Sequence, residues 1–205
     1  MFITMVRHGE SHWNVEGRHQ GHLDSGLTDR GREQAELVAR VLSDDVGPVD
    51  RVWSSDLPRA LETARAYSRL VGAEVICDPR LREVDVGSWS GHLIADIAKE
   101  YPDTVAASAA GQDPRRGGGE TFREQRARVE EFLLEHANSE TNDSLVFAHG
   151  GTVRVAAAFA ARVPSPGHDT MSPPSNCSRT VLELTPKIQR LVRYNLPLLG
   201  APETY

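Results

Sequence analysis

The sequence has little with which to cross a membrane, cross-link itself or hold nucleic acid. No apolar run reaches the roughly 20 residues that span a bilayer, and the N-terminal residues lack the basic start, apolar stretch and small-residue cleavage site of a secretion signal. A cytoplasmic protein is therefore expected. Only two cysteines occur, Cys77 and Cys177, too few for a disulfide framework and without the CxxC spacing of a metal or redox site. Both are expected to be small buried thiols. Aromatic residues make up 6% of the chain, the formal net charge is -6, and no basic stripe carries interleaved aromatics. That composition argues against nucleic acid as a partner, and none is expected. Any phosphate held by the protein must be held by a local cluster of cations, since the overall field repels it. Nor do His, Asp and Glu recur at ligand spacings such as HExxH, so no metal or other cofactor is expected.

What is present is the material of an ordinary globular protein: 205 residues, 39% hydrophobic and 25% charged, enough to bury a substantial core as one domain. Its first dozen residues are the most informative. Phe2-Ile3-Thr4-Met5-Val6 is an apolar run closed by Arg7-His8-Gly9, which predicts a buried strand delivering Arg7 and His8 to a sheet edge. In open α/β sheets ligands sit outside the carboxyl ends of the strands. An Arg fork matches phosphate oxygens, and a neutral imidazole can attack phosphorus. An isolated Arg-His-Gly also fits a surface pair in a turn. The pattern recurs, however, in Leu145-Val146-Phe147-Ala148-His149-Gly150-Gly151, and two such strands would place two imidazoles on one edge of one sheet.

Four segments in this order resemble the histidine phosphatase superfamily, the phosphoglycerate-mutase-like group that works through a phosphohistidine. They are Arg7-His8-Gly9-Glu10-Ser11 with Asn14; Ser54-Ser55-Asp56-Leu57-Pro58-Arg59-Ala60 with Thr63-Ala64; Leu81-Arg82-Glu83 with Gly87-Ser88-Trp89-Ser90-Gly91; and His149-Gly150-Gly151. The resemblance runs from Phe2 to about Asn176-Cys177-Ser178. It implies a three-layer α/β/α sandwich with a mostly parallel central sheet. It also implies a site with His8 as nucleophile, Glu83 as general acid and then base, and Arg7, Arg59 and His149 around the phosphoryl group. Asn14, Gln20, Gly21 and Gly150 are the implied substrate contacts. Asp85 is the alternative proton carrier, and an ion pair with Glu62 or Glu83 is the structural alternative for Arg59.

The rest of the chain fits around these segments. Ser11 to Gly26 reads as a loop or short irregular helix over the strand ends, with His12, His19 and His22 as solvated loop residues or one of them lining the substrate cavity. Thr28 or Asp29 caps a helix whose apolar stripe is Ala35, Leu37, Val38, Val41 and Leu42, ended by Gly47-Pro48. Val49 to Ser55 alternates like a strand, a helix follows from Leu57 to Leu70 with Arg59 in its first turn, and Glu74 to Cys77 is a short strand. From about residue 91 to 120 periodicity weakens. This stretch is expected to be a lid or specificity segment, a short helix followed by a flexible glycine-rich loop, with Arg115 and Arg116 either solvated or reaching a second anionic group. Helices are predicted from Thr121 to about His136 and from Gly151 to Ala161, with Arg154 in a structural ion pair. A terminal hairpin covers Thr180–Leu184 and Gln189–Tyr194, and residues 196–205 read as a tail. Residues 1–205 are thus expected to form a single domain.

The functional expectation is a phosphomonoesterase of small phosphorylated metabolites. Where the mutases of the family carry Arg after the catalytic Glu, this chain has Val84, which favours water as the acceptor. A cofactor-dependent phosphoglycerate mutase, and a non-catalytic phosphoryl- or protein-binding module, are the alternatives. The expected partner is a small phosphate ester, with no nucleic acid and no membrane; a homodimer stays open.

Overall fold

The computed structural model describes residues 1–47, 49, 51–137 and 143–198. Six strands form one sheet: β1 (Phe2–Arg7), β2 (Arg51–Ser54), β3 (Val75–Cys77), β4 (Ser144–Ala148), β5 (Arg179–Leu184) and β6 (Gln189–Leu196), in the order β3-β2-β4-β1-β5-β6. The first four in that order run parallel, β5 is antiparallel to β1, and β6 returns against β5 as a hairpin. The helices are α1 (His12–Glu16), α2 (Asp29–Asp45), α3 (Pro58–Val71), α4 (Ile94–Glu100), α5 (Pro102–Ala109), α6 (Phe122–Ala137) and α7 (Gly150–Ala160).

The period-two alternation of side chains on a strand builds the three layers. On β4, Leu145 and Phe147 join one core with Ala35, Val38 and Leu42 of α2 and with Ala64 and Tyr67 of α3. Val146 and Ala148 join the other, with Val129, Phe132 and Leu133 of α6 and Val153, Val155 and Ala156 of α7. A strand covered on both faces must be apolar throughout, and all of β4 is buried. The expected α/β/α sandwich is therefore the fold.

Register then positions the chemistry. Arg7 pairs with Ala148 across β1 and β4, so the next residue of each strand, His8 and His149, leaves the sheet at the same edge. The His8 amide donates to the Ala148 carbonyl at 3.0 Å and extends the ladder by one rung.

Several expectations need correction. Leu37 is 37% exposed and Val41 half-buried, while Ala39 is buried in the stripe of α2, because the helix period carries position 37 out to solvent. Cys77 is exposed, since β3 is the sheet's outer strand and only Cys177 lies in the core. Residues 91–120 hold two helices, α4 and α5. The glycine-rich loop after them is docked: the Gly117 carbonyl accepts from Ser88 N at 2.8 Å, and Glu120 N donates to the Asp85 carbonyl at 2.7 Å. A Cβ on Gly117 would overlap the Val86 carbonyl, so glycine is what permits this approach. At the C-terminus, Leu196 completes β6 and Leu198 is buried, while 199–205 lie outside the described residues, as do Pro48 and Asp50. No helix among the described residues is long and apolar enough to cross a membrane.

Candidate active site

At the carboxyl edge of the parallel strands lies a cavity of about 180 Å³ lined by Arg7, His8, Asn14, Arg18, His19, Gln20, Gly21, Arg59, Glu83, Val84 and Val86. His8 is 2% exposed, and its Nδ1 sits 2.7 Å from the Gly9 carbonyl. A carbonyl only accepts, so Nδ1 carries the proton and Nε2 keeps a free lone pair. Burial, and then the neighbouring Arg59 and Arg7, push the His8 pKa well below the ordinary histidine value by disfavouring the imidazolium. A neutral imidazole with a free Nε2 is the form that can attack phosphorus.

His149 is fully buried, its ring 5.2 Å from that of His8. Its Nε2 is 2.8 Å from Ser55 Oγ, and its Nδ1 has no partner among the described residues. The Ser55 oxygen already accepts from Leu57 N. With its hydroxyl proton given to His149 Nε2, the imidazole proton stands on Nδ1, free to donate. Desolvation and Arg59 lower this pKa too.

Arg59 occupies the first turn of α3, where Leu57 is the N-cap and Pro58 opens the helix. It is 1% exposed, and the loop before α2 holds its fork: Nη1 donates to the Leu23 carbonyl at 2.8 Å and to Asp24 Oδ1 at 3.0 Å, and Nη2 to the Gly21 carbonyl at 2.9 Å. The partner is thus Asp24; Glu62 pairs instead with Arg32. Arg7 donates from Nη1 to the Pro174 carbonyl at 2.5 Å, and its Nε has no partner among the described residues. Desolvation lowers the pKa of both guanidinium groups.

Glu83 stands opposite. Its Oε1 accepts from Val84 N at 2.8 Å and Gln125 Nε2 at 3.1 Å, and its Oε2 from Gly151 N at 3.0 Å in the first turn of α7. A Cβ on Gly151 would overlap Glu83 Oε1, so the helix can approach this carboxylate only through a glycine. Arg128 clamps the backbone behind it, donating to the carbonyls of Arg80, Arg82 and Glu83 while pairing with Glu120. Asp85 does not line the cavity; its Oδ1 caps Gly87 N at 2.8 Å.

Of the expected substrate contacts, Asn14 and Gln20 line the cavity with their carbonyl ends already engaged. Asn14 Oδ1 accepts from Ser11 N and Asn176 Nδ2, and Gln20 Oε1 from Ser11 Oγ, so the amide NH₂ of each is left to donate. The Gly21 carbonyl is spent on Arg59, and its N–H has no acceptor among the described residues. Gly150 is not in the lining; it opens α7, where a Cβ would come within 3.6 Å of Arg7 Nε. Of the loop histidines only His12 is exposed. His19 lines the cavity beside Trp89 at 5.7 Å, its pKa lowered by burial and then by Arg116, and His22 Nε2 meets the Glu83 carbonyl at 3.0 Å. Arg115 pairs with Glu124; Arg116 is half-buried over the Phe122 ring at 4.0 Å with Asp113 beside it. Arg154 makes no ion pair among the described residues. The parts played by Asp24, Ser55, Gln125, Arg128 and Asn176 do not show in the sequence, although Ser55 and Asn176 belong to the segments quoted for the resemblance, because each acts through another side chain or through backbone from far along the chain.

One nucleophile-capable imidazole, two guanidinium groups and a carboxylate thus line one small cavity, with the buried His149 ring beside His8 and outside the lining. The sequence pattern of the Histidine phosphatase superfamily (branch 1) matches residues 3–197. Phosphoserine phosphatase 1 of Hydrogenobacter thermophilus is 36% identical over 147 residues, covering 70% of this chain and 68% of that protein. Glucosyl-3-phosphoglycerate phosphatase of Mycobacterium tuberculosis is 31% identical over 189 residues, covering 88% and 84%. A solved structure of the mycobacterial glucosyl-3-phosphoglycerate phosphatase complexed with VO3 superposes with a TM-score of 0.85 at 31% identity, over 96% of this chain and 99% of that one. The chain belongs to the histidine phosphatase superfamily. It is a phosphoric monoester hydrolase that acts on a small phosphorylated metabolite through a phosphohistidine intermediate.

Proposed function

We propose that His8 Nε2 attacks the phosphorus of a small phosphate monoester, that Glu83 carries the proton in both half-reactions, and that Arg7, Arg59 and His149 hold the phosphoryl oxygens. The observation that carries this reading is the bond from His8 Nδ1 to the Gly9 carbonyl, which fixes the tautomer with its lone pair on Nε2. In the first half-reaction the N–P bond forms as the P–O bond to the alcohol breaks, and the leaving oxygen takes a proton from Glu83. In the second, Glu83 removes a proton from water, the water oxygen attacks phosphorus, and the N–P bond breaks, restoring His8 and releasing inorganic phosphate. The arginine forks, the Nδ1–H of His149, the amide groups of Asn14 and Gln20 and the Gly21 N–H serve the equatorial oxygens of the loose transition state, where positioning and electrostatics supply most of the catalysis. No metal takes part.

Val84 and Val86 present apolar groups to the cavity beside Glu83, which favours water over a second phosphorylated acid as acceptor. Residues 91–120 serve as the specificity wall of a single catalytic domain, and the location is cytoplasmic. The test is to quench turnover of a ³²P-labelled ester with alkali in the presence of chelator. The label should be recovered as base-stable, acid-labile phosphohistidine in the peptide containing His8. Undiminished turnover with no label on that peptide would overturn the assignment.

A further inference from the structure

The two guanidinium groups of the site are held in different ways. Three hydrogen bonds fix the Arg59 fork, one of them to Asp24. Among the described residues the Arg7 fork has one acceptor, the Pro174 carbonyl, and forms no ion pair. Where Arg7 points is therefore decided by where that carbonyl lies.

Pro174 belongs to a strap, residues 171–176, laid against the end of β1. Asn176 Nδ2 donates to the His8 carbonyl at 3.0 Å and to Asn14 Oδ1 at 3.2 Å, and Cys177 N donates to the Arg7 carbonyl at 2.9 Å. The strap is itself anchored from β6. Tyr194 Oη donates to the Ser172 carbonyl, and Asn195 Oδ1 accepts from Ser175 N at 2.8 Å, on either side of Pro173 and Pro174. Successive side chains of a regular strand point to opposite faces, so two neighbours reaching one strap require a break in the pattern. The register supplies it. Arg179 pairs with Leu196 and Val181 with Arg193, so Tyr194 and Asn195 together stand opposite the single residue Thr180, a β-bulge. Asn195 sits at a φ of 51°, a left-handed conformation that asparagine tolerates, and its N–H donates to Thr180 Oγ1 at 3.2 Å. Between the two anchors the chain is stiff, because each proline ring fixes its own φ and restricts the residue before it. A shift at the Ser172 carbonyl is therefore passed on to the Pro174 carbonyl, and to Arg7 with it.

We infer that the β6 bulge at Tyr194 and Asn195 is a positioning device of the active site, which aims the Arg7 fork at the phosphoryl group through the strap of residues 171–176. The inference rests on the reading of Arg7 as a phosphoryl clamp and adds the residues that aim it. Neither Tyr194 nor Asn195 lines the cavity, so each acts only through another group. The Tyr194 hydroxyl is the smallest removable part of the device, since phenylalanine keeps the ring and loses only the bond to Ser172.

The readouts are turnover of p-nitrophenyl phosphate and inhibition by orthovanadate, which takes the five-coordinate shape of the transition state, and by inorganic phosphate, which does not. Tyr194→Phe should lower kcat about tenfold, the worth of one hydrogen bond, and weaken orthovanadate by a similar factor. Inhibition by phosphate should change by less than about threefold, because aim matters most where charge develops. Asn195→Gly keeps the left-handed backbone and removes the amide. It should act in the same direction, and it serves alone if the Phe variant does not fold. In an Arg7→Lys background, where there is no fork to aim, either change should cost nothing further. A role in folding alone would lower the urea midpoint and cost the same factor in both backgrounds. Unchanged kcat in a folded variant, an equal cost in both backgrounds, or equal weakening of the two inhibitors would overturn the positioning role and leave the phosphatase intact. A native protein that neither turns over the ester nor binds orthovanadate would overturn the phosphatase reading, and this role with it.

Discussion

The ends of β1 and β4 look alike in sequence and differ in one bond. Each is an apolar strand closed by His-Gly, each histidine is buried, and each has its pKa pushed down by desolvation and by Arg59. Yet His8 is tied through Nδ1 to a backbone carbonyl, and His149 through Nε2 to the Ser55 hydroxyl. A carbonyl has no proton to give, so it makes the imidazole a donor at Nδ1 and leaves Nε2 as the nucleophile. A hydroxyl can give its proton to Nε2, so the same tautomer in His149 has its Nε2 engaged and leaves Nδ1–H as the donor. Two similar residues side by side on one sheet edge thus take opposite roles, set by the second partner of each ring.

If that contrast is right, the two histidines respond differently to removal. His8→Ala takes away the atom that bonds to phosphorus, and kcat should fall about 10⁴-fold or more with no trapped phosphoenzyme. His149→Ala takes away one hydrogen bond to the developing charge, and kcat should fall about 10²- to 10³-fold while label still appears on His8. Equal losses, or phosphoenzyme surviving His8→Ala, would break the comparison. Ser55→Ala tests the smaller half of the argument. It leaves both imidazoles in place and removes only the group that orients His149, so it should cost about tenfold in kcat, the worth of one hydrogen bond, with KM nearly constant. A loss as large as that of His149→Ala would mean that Ser55 does more than orient.

How far the sequence could be read follows from the same local physics. Strand-end residues such as Arg7, His8 and His149 are legible because the hydrophobic run that buries the strand also says where it stops. Arg59 is legible only through the resemblance, since a place in the first turn of a helix fits an ion pair as well as a phosphate contact. The groups that decide tautomer and orientation are not, because their partners lie far off in the chain: Asp24 is 35 residues from Arg59, Gln125 is 42 from Glu83, and Ser55 is 94 from His149. Gln125 sits at a buried position of α6, where periodicity alone would ask for an apolar residue. The exposure of Cys77 depends on which strand ends the sheet, a property of the whole topology. The docking of Gly117 depends on a close approach of two backbones, which composition reads only as flexibility.

The last expectation concerns pH, where the two histidines should agree. Both have folded-state pKa values far below the roughly 6.5 of an unfolded histidine. Between those values the unfolded chain binds protons that the native state does not, so stability is present in full above about pH 6.5 and is lost as pH falls below it. Each site contributes a slope of up to about 1.4 kcal/mol per pH unit. Urea midpoints measured from pH 7.5 to 5 should therefore fall with acid, and less steeply in the His8→Ala variant, which has lost one such group. Nitrogen-15 chemical shifts should show both rings still neutral at pH 5.5, with the proton on Nδ1 in each. A His8 ring that titrates near 6.5, or one with its proton on Nε2, would mean that the Gly9 carbonyl does not hold the nucleophile in the state inferred for it.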